Sequence, residues 1–187
     1  MKNITAKLLP PFLAFLAAGC VNTYYDPSDP YTLGLRFYDR GNIQNAERAW
    51  KPLLEKNDPD AQFRYGWMLW NNQLGPNRES EAIELFRKAA AQGQTKALIL
   101  LGDLYYQSPK NPMWIVKNPP FEKDTSVGLQ YYLKAEKTAY YKGEKALVAQ
   151  LLPRVKSEVS PETYQAAEQA AATWTPEIVG RKPRQLK

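Results

Sequence analysis

The sequence predicts an all-α fold, a short superhelix of about four antiparallel helical hairpins, and an internal repeat is the main reason. The segment that begins at Asp60 is followed, from Lys96, by a second segment of similar pattern. Residues of similar size recur at constant separation in the pairs Ala61 and Ala97, Gly66 and Gly102, and Leu69 and Tyr105. Their spacing within each segment follows one face of an α-helix. Each segment is therefore predicted to be the first helix of a repeat.

The second helix of each repeat has a recurring pattern of its own. Its three positions are Ala82, Leu85 and Ala89 in one repeat and Gly128, Tyr131 and Ala135 in the next. Small residues at fixed steps among larger apolar ones allow two antiparallel helices to approach closely and interlock. An earlier unit runs through residues 33–50, and a degenerate last unit begins at Ala146. Its closing helix is predicted to start at Ser160, which suits an N-cap, with Pro161 in the first helical position.

The N-terminus predicts a secretory signal peptide over residues 1–19. Lys2 and Lys7 precede an apolar stretch, residues 8–16, and small residues follow it up to Cys20. The stretch is about half the ~20 residues that a membrane-spanning helix needs. We therefore expect it to be removed and not to span a membrane.

The segment Leu16-Ala17-Ala18-Gly19-Cys20 resembles the lipobox of bacterial lipoproteins, in which the cysteine is acylated and becomes the mature N-terminus. The resemblance implies a lipid on Cys20, a tether over residues 20–30, and, with Val21 in place of Asp, sorting to the outer membrane. Ala17 stands where that family prefers leucine, and Ala17 with Gly19 would also suit ordinary signal peptidase. The alternative is an unmodified thiol. The sequence contains no second cysteine for an intramolecular disulfide, and an unpaired cysteine is a liability in an oxidising compartment, which favours modification of Cys20.

The repeats resemble Sel1-like repeats, which are relatives of the tetratricopeptide repeat. The resemblance rests on the order Ala, Leu-Gly, Tyr and Ala-Ala within a unit, and on the closing segment Lys88-Ala89-Ala90-Ala91-Gln92-Gly93. It covers roughly Asp29 to Trp174 and implies a Sel1/tetratricopeptide-like α-solenoid over residues 31–177. Such a resemblance specifies a fold far better than it specifies a function.

The charge distribution argues against a nucleic-acid partner. The chain has 25 Lys and Arg against 19 Asp and Glu, but two of the lysines belong to the predicted signal peptide. Four more positive charges lie in the tail, residues 178–187, namely Arg181, Lys182, Arg184 and Lys187. The body between them is neutral, whereas a nucleic-acid-binding domain normally carries a basic stripe on its folded part. The tail is predicted to be disordered and solvated, and contact with an anionic surface is the alternative.

The residues available for catalysis are few. The chain has no histidine and one cysteine, which excludes Ser-His and Cys-His nucleophiles and the usual zinc site once Cys20 carries lipid. No Gly-rich phosphate loop, acidic calcium loop or nucleotide fingerprint is present. Glu79-Ser80 matches the catalytic pair of lytic transglycosylases, but the rest of that signature is missing, and Glu79 is interpreted as the start of a helix. We expect no catalytic residue, no metal and no cofactor, and therefore no enzyme.

The tetratricopeptide resemblance implies a concave groove lined by the first helix of each hairpin. The positions that it implies are Tyr31, Leu35 and Tyr38 in the first unit, Phe63, Trp67 and Trp70 in the second, and Ile99, Asp103 and Tyr106 in the third. Aromatic side chains bind partners well because they bury much area for little lost rotamer entropy. The alternative is that a tight superhelix, or an N-terminal segment folded over it, buries Trp67 and Trp70 in the core.

The connection within the third unit, from Gln107 to Asp124, is unusually long. It contains Trp114 among the prolines Pro109, Pro112, Pro119 and Pro120. Prolines lack a backbone donor and fix φ, so a continuous helix is excluded here. Trp114 either binds a partner or belongs to a tolerated insertion that folds back on the helices.

These features lead us to expect an outer-membrane-anchored lipoprotein that serves as a scaffold or adaptor in an envelope assembly, such as secretion or polysaccharide export. The expected partners are envelope proteins, with the membrane reached through the lipid on Cys20, and the periplasmic side is favoured over the cell surface. The alternative is direct binding of a glycan, exopolysaccharide or peptidoglycan, since aromatic platforms also stack on sugars.

Overall fold

A computed structural model describes residues 28–106 and 120–177. Within these residues the chain forms eight α-helices and no strand, which confirms the all-α fold. The helices are α1 (Pro30–Asp39), α2 (Ile43–Glu55), α3 (Pro59–Trp70), α4 (Glu79–Ala91), α5 (Thr95–Tyr106), α6 (Thr125–Thr138), α7 (Lys142–Lys156) and α8 (Pro161–Thr173).

Three of the helices begin with the same capping motif, in which a side chain that accepts a hydrogen bond is followed by proline. The dipeptides are Asp29-Pro30, Asp58-Pro59 and Ser160-Pro161. In each, the side-chain oxygen accepts a hydrogen bond from the backbone N–H three residues later, at 3.1, 2.9 and 3.2 Å respectively. These bonds satisfy backbone donors that a helix leaves unpaired, and proline fits the first turn because it has no N–H there. The predicted start of the closing helix, α8, is therefore confirmed.

From α1 to α7, helices that follow one another in the chain pack against one another. The most extensive packing joins α1 to α2, α3 to α4 and α5 to α6, while α2–α3 and α4–α5 contacts link these pairs. The end of the chain differs, because α7 and α8 both pack on α6 and no extensive contact joins them to each other within the described residues. The last two helices thus do not form the closely packed pair that a fourth hairpin requires.

A glycine lies against an aromatic ring in each of the three helix pairs. The contacts are Gly34 with Trp50, Gly66 with Phe86, and Gly102 with Tyr132. A Cβ atom at Gly66 would lie 2.8 Å from Cε1 of Phe86, and one at Gly102 would lie 2.5 Å from Cε1 of Tyr132. Both distances are too short for a real side-chain atom, so a larger residue would force the helices apart. The close approach predicted from the small residues is confirmed at these positions.

The first helices of the second and third pairs, α3 and α5, form the centre of the core. Only Arg64 and Trp67 of α3, and Lys96 and Tyr105 of α5, keep appreciable solvent exposure. The second helices are amphipathic instead, with buried stripes such as Ala82, Phe86 and Ala89 on α4. Outside α3 and α5, the surface is supplied by the second helices, by α1, α7 and α8, and by the connecting segments.

Candidate functional site

Seven of the nine side chains predicted to line a groove lie in the core. They are Tyr31, Leu35, Phe63, Trp70, Ile99, Asp103 and Tyr106. Each is at most 7 % exposed, and Trp70 is 0 % exposed. An open groove cannot be lined by side chains that solvent does not reach. For these seven the predicted exposure is wrong, and the alternative of burial, which the sequence leaves open for Trp67 and Trp70, holds for Trp70.

The reason for this burial is contact with aromatic residues on the second helices. Phe63 and Trp70 lie two turns apart on one face of α3, and Phe86 of α4 contacts both, with ring centroids 5.9 and 6.4 Å away. Equivalent contacts join Tyr31 to Trp50 at 6.3 Å and Tyr106 to Tyr132 at 6.4 Å. The face assigned to a partner thus packs against the second helix of its own pair.

Tyr38 and Trp67 are the two members of the predicted groove that remain partly exposed. Tyr38 packs its ring 5.8 Å from that of Trp50, and Trp67 also rests against the core. Each offers part of one ring to solvent. Of the groove predicted on the first helices, only these two side chains are therefore accessible to a partner.

Asp103 has a structural partner inside the protein. The hydroxyl of Tyr132 donates a hydrogen bond of 2.6 Å to Oδ1 of Asp103, and both side chains are completely buried. Burial, followed by the charge of Asp103, raises the pKa of Tyr132 well above its ordinary value. The phenol stays protonated and keeps the buried carboxylate hydrogen-bonded, which fixes α6 against α5.

Several other predicted positions lie outside the described residues. These are Cys20 with the signal peptide, Trp114, and the tail 178–187. The lipid attachment and the role of the proline-rich connection therefore stay predictions.

A different surface emerges beside the C-terminal end of α5, where three partly buried aromatic rings stack. Tyr105 lies 4.4 Å from Phe121 and 5.6 Å from Tyr131 between ring centroids, with interplanar angles of 26° and 17°. Arg87 of α4 donates a hydrogen bond of 3.0 Å to the hydroxyl of Tyr105, and its guanidinium lies 6.0 Å from the centre of the Phe121 ring. A second guanidinium nitrogen pairs with Glu84 at 2.5 Å.

The same surface continues through Lys134 of α6 to the residue that follows α8. The Lys134 ammonium lies 5.4 Å from the ring centre of Tyr131 and 5.8 Å from that of Trp174. Both distances are within the range of a cation–π contact. Partial burial lowers the pKa of Lys134. We call the set Arg87, Tyr105, Phe121, Tyr131, Lys134 and Trp174 the cation–aromatic row.

A sequence signal for this row lies in the repeat pattern itself. Tyr105 occupies the repeat position of Leu69, and Tyr131 occupies that of Leu85. An apolar residue is thus replaced by an amphipathic one on both helices of the third pair. The two tyrosines contact each other, so the paired replacement marks the position of the row.

Outside the row, the described residues offer little that could perform chemistry. They contain no group of three His, Cys, Asp or Glu side chains that could hold a metal ion. Glu79 begins α4, as predicted, where a carboxylate interacts favourably with the helix dipole. An open cleft of about 620 Å³ lies between the start of α2 and the first half of the α3–α4 connection, with Glu47 and Gln73 on its walls. Glu47 accepts a hydrogen bond of 3.0 Å from the Tyr65 hydroxyl at the core side.

Comparisons of the chain with family models, with curated proteins and with solved structures found no match. Among the helices of residues 28–106 and 120–177, none has the length and apolar character needed to cross a membrane.

Proposed function

We propose that the protein is an outer-membrane-anchored lipoprotein whose Sel1/tetratricopeptide-like solenoid serves as a protein–protein interaction scaffold or adaptor in an envelope assembly. The observation that carries this proposal is the glycine–aromatic contact that recurs in the α1–α2, α3–α4 and α5–α6 pairs. Repeated units that stack on their neighbours form extended surfaces, and such surfaces are used for recognition.

The distribution of exposed side chains favours binding over catalysis. The described surface combines the cation–aromatic row with the partly exposed rings of Tyr38 and Trp67. Aromatic side chains and arginine are common anchors at protein interfaces. Glu79, of the Glu79-Ser80 pair, lies at the N-terminus of α4. Glu47, on the wall of the open cleft, accepts a hydrogen bond from the Tyr65 hydroxyl.

The membrane anchor is tested by replacing the cysteine. Cys20→Ser should release the protein from the membrane fraction, because several acyl chains are needed for persistent anchoring and serine carries none. The far-UV circular dichroism of the released protein should match that of the wild type. Ser28→Ala, in the same predicted tether, is the matched control and should stay in the membrane fraction. Membrane retention of Cys20→Ser would contradict the lipid anchor.

The scaffold role is tested by crosslinking in the native envelope. A photoreactive amino acid replaces Trp67 in one variant and the exposed Gln150 of α7 in another, and adducts are identified by mass spectrometry. A protein adduct that forms from at least one surface position and is reproducible across preparations is the expected result. Adducts that contain only glycan would support direct glycan binding instead, and no adduct from any position would refute the scaffold.

A further inference from the structure

Lys134 is an unusual cation because its charge lies in a partly buried setting without an acidic neighbour. The ammonium sits between the rings of Tyr131 and Trp174, and no carboxylate of the described residues forms an ion pair with it. Removing a charge from water is unfavourable unless an opposite charge or strong hydrogen bonds compensate. The two rings compensate only in part, since a cation–π contact contributes about 0.5–2 kcal/mol.

Two other cations near Lys134, Arg87 and Lys137, have ion-pair or hydrogen-bond partners within the protein. Arg87 is paired with Glu84 and bonded to Tyr105. Lys137, one turn beyond Lys134, donates hydrogen bonds of 2.6 and 2.9 Å to the last carbonyls of α8, those of residues 171 and 172. The positive charges therefore exceed the negative ones along the row, and within residues 28–106 and 120–177 Lys134 has no counter-ion.

The aromatic rings of the row restrict what kind of ligand can bind. Tyr105 stacks on Phe121 and on Tyr131, and cations lie over Phe121 and Tyr131 as well. The ring faces are thus used within the protein, and the stack offers mainly ring edges to a ligand. Sugars bind aromatic side chains through the ring face, whereas ring edges carry partial positive charge and attract anions. The row suits carboxylates better than it suits a pyranose ring.

We propose that the cation–aromatic row is a docking surface for an acidic segment of a partner protein, whose carboxylate supplies the counter-ion of Lys134. This inference rests on the proposed scaffold function and specifies the chemistry of its partner. The complementary charge is the basis for the choice of occupant, because Lys134 has no counter-ion within the described residues although the body as a whole carries equal numbers of positive and negative side chains.

The test uses the full-length lipoprotein in detergent and follows its tryptophan fluorescence, to which Trp174 contributes. The probes are a glutamate homopeptide, a glutamine homopeptide of the same length, and a galacturonate oligomer of the same charge as the first. We expect saturable binding of the glutamate peptide, weaker binding of the galacturonate oligomer, and none of the glutamine peptide. Added salt should weaken the glutamate complex, because exposed ionic contacts are screened.

Two variants assign the binding to the row. Lys134→Gln removes the charge and keeps most of the aliphatic stem, and it should weaken the glutamate complex about tenfold, as expected for one close charge pair. Lys51→Gln makes the same change at an exposed position on α2 and should leave the affinity unchanged. Thermal unfolding of both variants verifies that the fold persists. Should Lys134→Gln unfold, Lys134→Met, which keeps the apolar stem and also removes the charge, takes its place with the same expected loss of affinity.

Each contrary outcome overturns the inference. Galacturonate binding as tight as that of the glutamate peptide would assign the row to an acidic glycan, and equal weakening by Lys51→Gln would show unspecific attraction. The absence of any glutamate binding would refute an acidic docking surface. The docking proposal can fail while the scaffold proposal stands. In that case crosslinking in the envelope still yields protein adducts, and Lys134→Gln leaves these adducts intact. A failed scaffold would yield no protein adduct at all.

Discussion

Replacing Gly102 by alanine should destabilise the protein, although alanine is the better helix former. The added Cβ would lie 2.5, 2.7 and 3.0 Å from three atoms of the Tyr132 ring. That ring has no room to move, since it is 0 % exposed and its hydroxyl is held 2.6 Å from Asp103. Overpacking of this kind costs about 1–3 kcal/mol, and a rigid neighbour places the site near the upper end.

The helix propensity of alanine offsets about 1 kcal/mol of this cost. The net loss should therefore be about 2 kcal/mol, which corresponds to a decrease in Tm of about 4–8 °C for a chain of this size. Urea unfolding followed by far-UV circular dichroism measures the free energy of unfolding, and thermal unfolding measures the Tm. The assay needs no partner, so it reports on packing alone.

Gly143→Ala is the matched control. Gly143 lies in the first turn of α7, and a Cβ built there meets nothing within 4 Å. Its replacement should therefore raise stability by about 0.5–1 kcal/mol. If Gly102→Ala were as stable as Gly143→Ala, the glycine–aromatic contact would not set the separation of α5 and α6. The main argument for the repeated architecture would then fail.

Two further predictions concern the core. Trp70→Ala should cost about 3–5 kcal/mol because the side chain is wholly buried, whereas Trp67→Ala should cost clearly less; equal losses in urea unfolding would contradict the burial of Trp70. Tyr65→Phe should cost about 1 kcal/mol at neutral pH through the lost hydrogen bond to Glu47. Burial and Glu47 raise the pKa of folded Tyr65 to about 12, so the wild-type advantage should be present below pH ~10 and narrow as the pH rises towards 12. An advantage that stays constant over that interval would contradict the assignment.

The helix starts could be predicted because their determinants are local. Ser160-Pro161 specifies a cap within a few residues, and the structure places the side-chain acceptor and the proline as the dipeptide indicates. The close approach at Gly66 and Gly102 was also predictable, since small residues that recur at helical spacing allow two helices to pack closely. In these features the neighbours in sequence decide the conformation.

The helix that covers each face of the first helices could not be predicted in the same way. Helical spacing shows that Phe63 and Trp70 share a face of α3, but it does not show which helix covers that face. The structure covers it with Phe86, which belongs to the second helix of the same pair. A register carried over from the tetratricopeptide family therefore assigned core residues to a surface.

The packing of α8 shows a second limit of predicting structure from a repeat pattern. The sequence predicts the start of the closing helix, yet α8 packs on α6 and not mainly on α7. Contacts with α6, an earlier helix, therefore decide the position of α8. One such contact is Lys137 of α6, whose ammonium bonds the carbonyls at the end of α8.

The α5–α6 pair retains the glycine–aromatic contact although its connection, residues 107–124, is much longer than the α3–α4 connection, residues 71–78. The entropic cost of closing a connection grows slowly with its length, by about 0.6 kcal/mol for each doubling. Interlocking of the helices, and not the brevity of the turn, thus determines the pairing. An epitope or fluorescent reporter inserted into this connection should therefore leave the two helices paired and the far-UV circular dichroism of the helices unchanged.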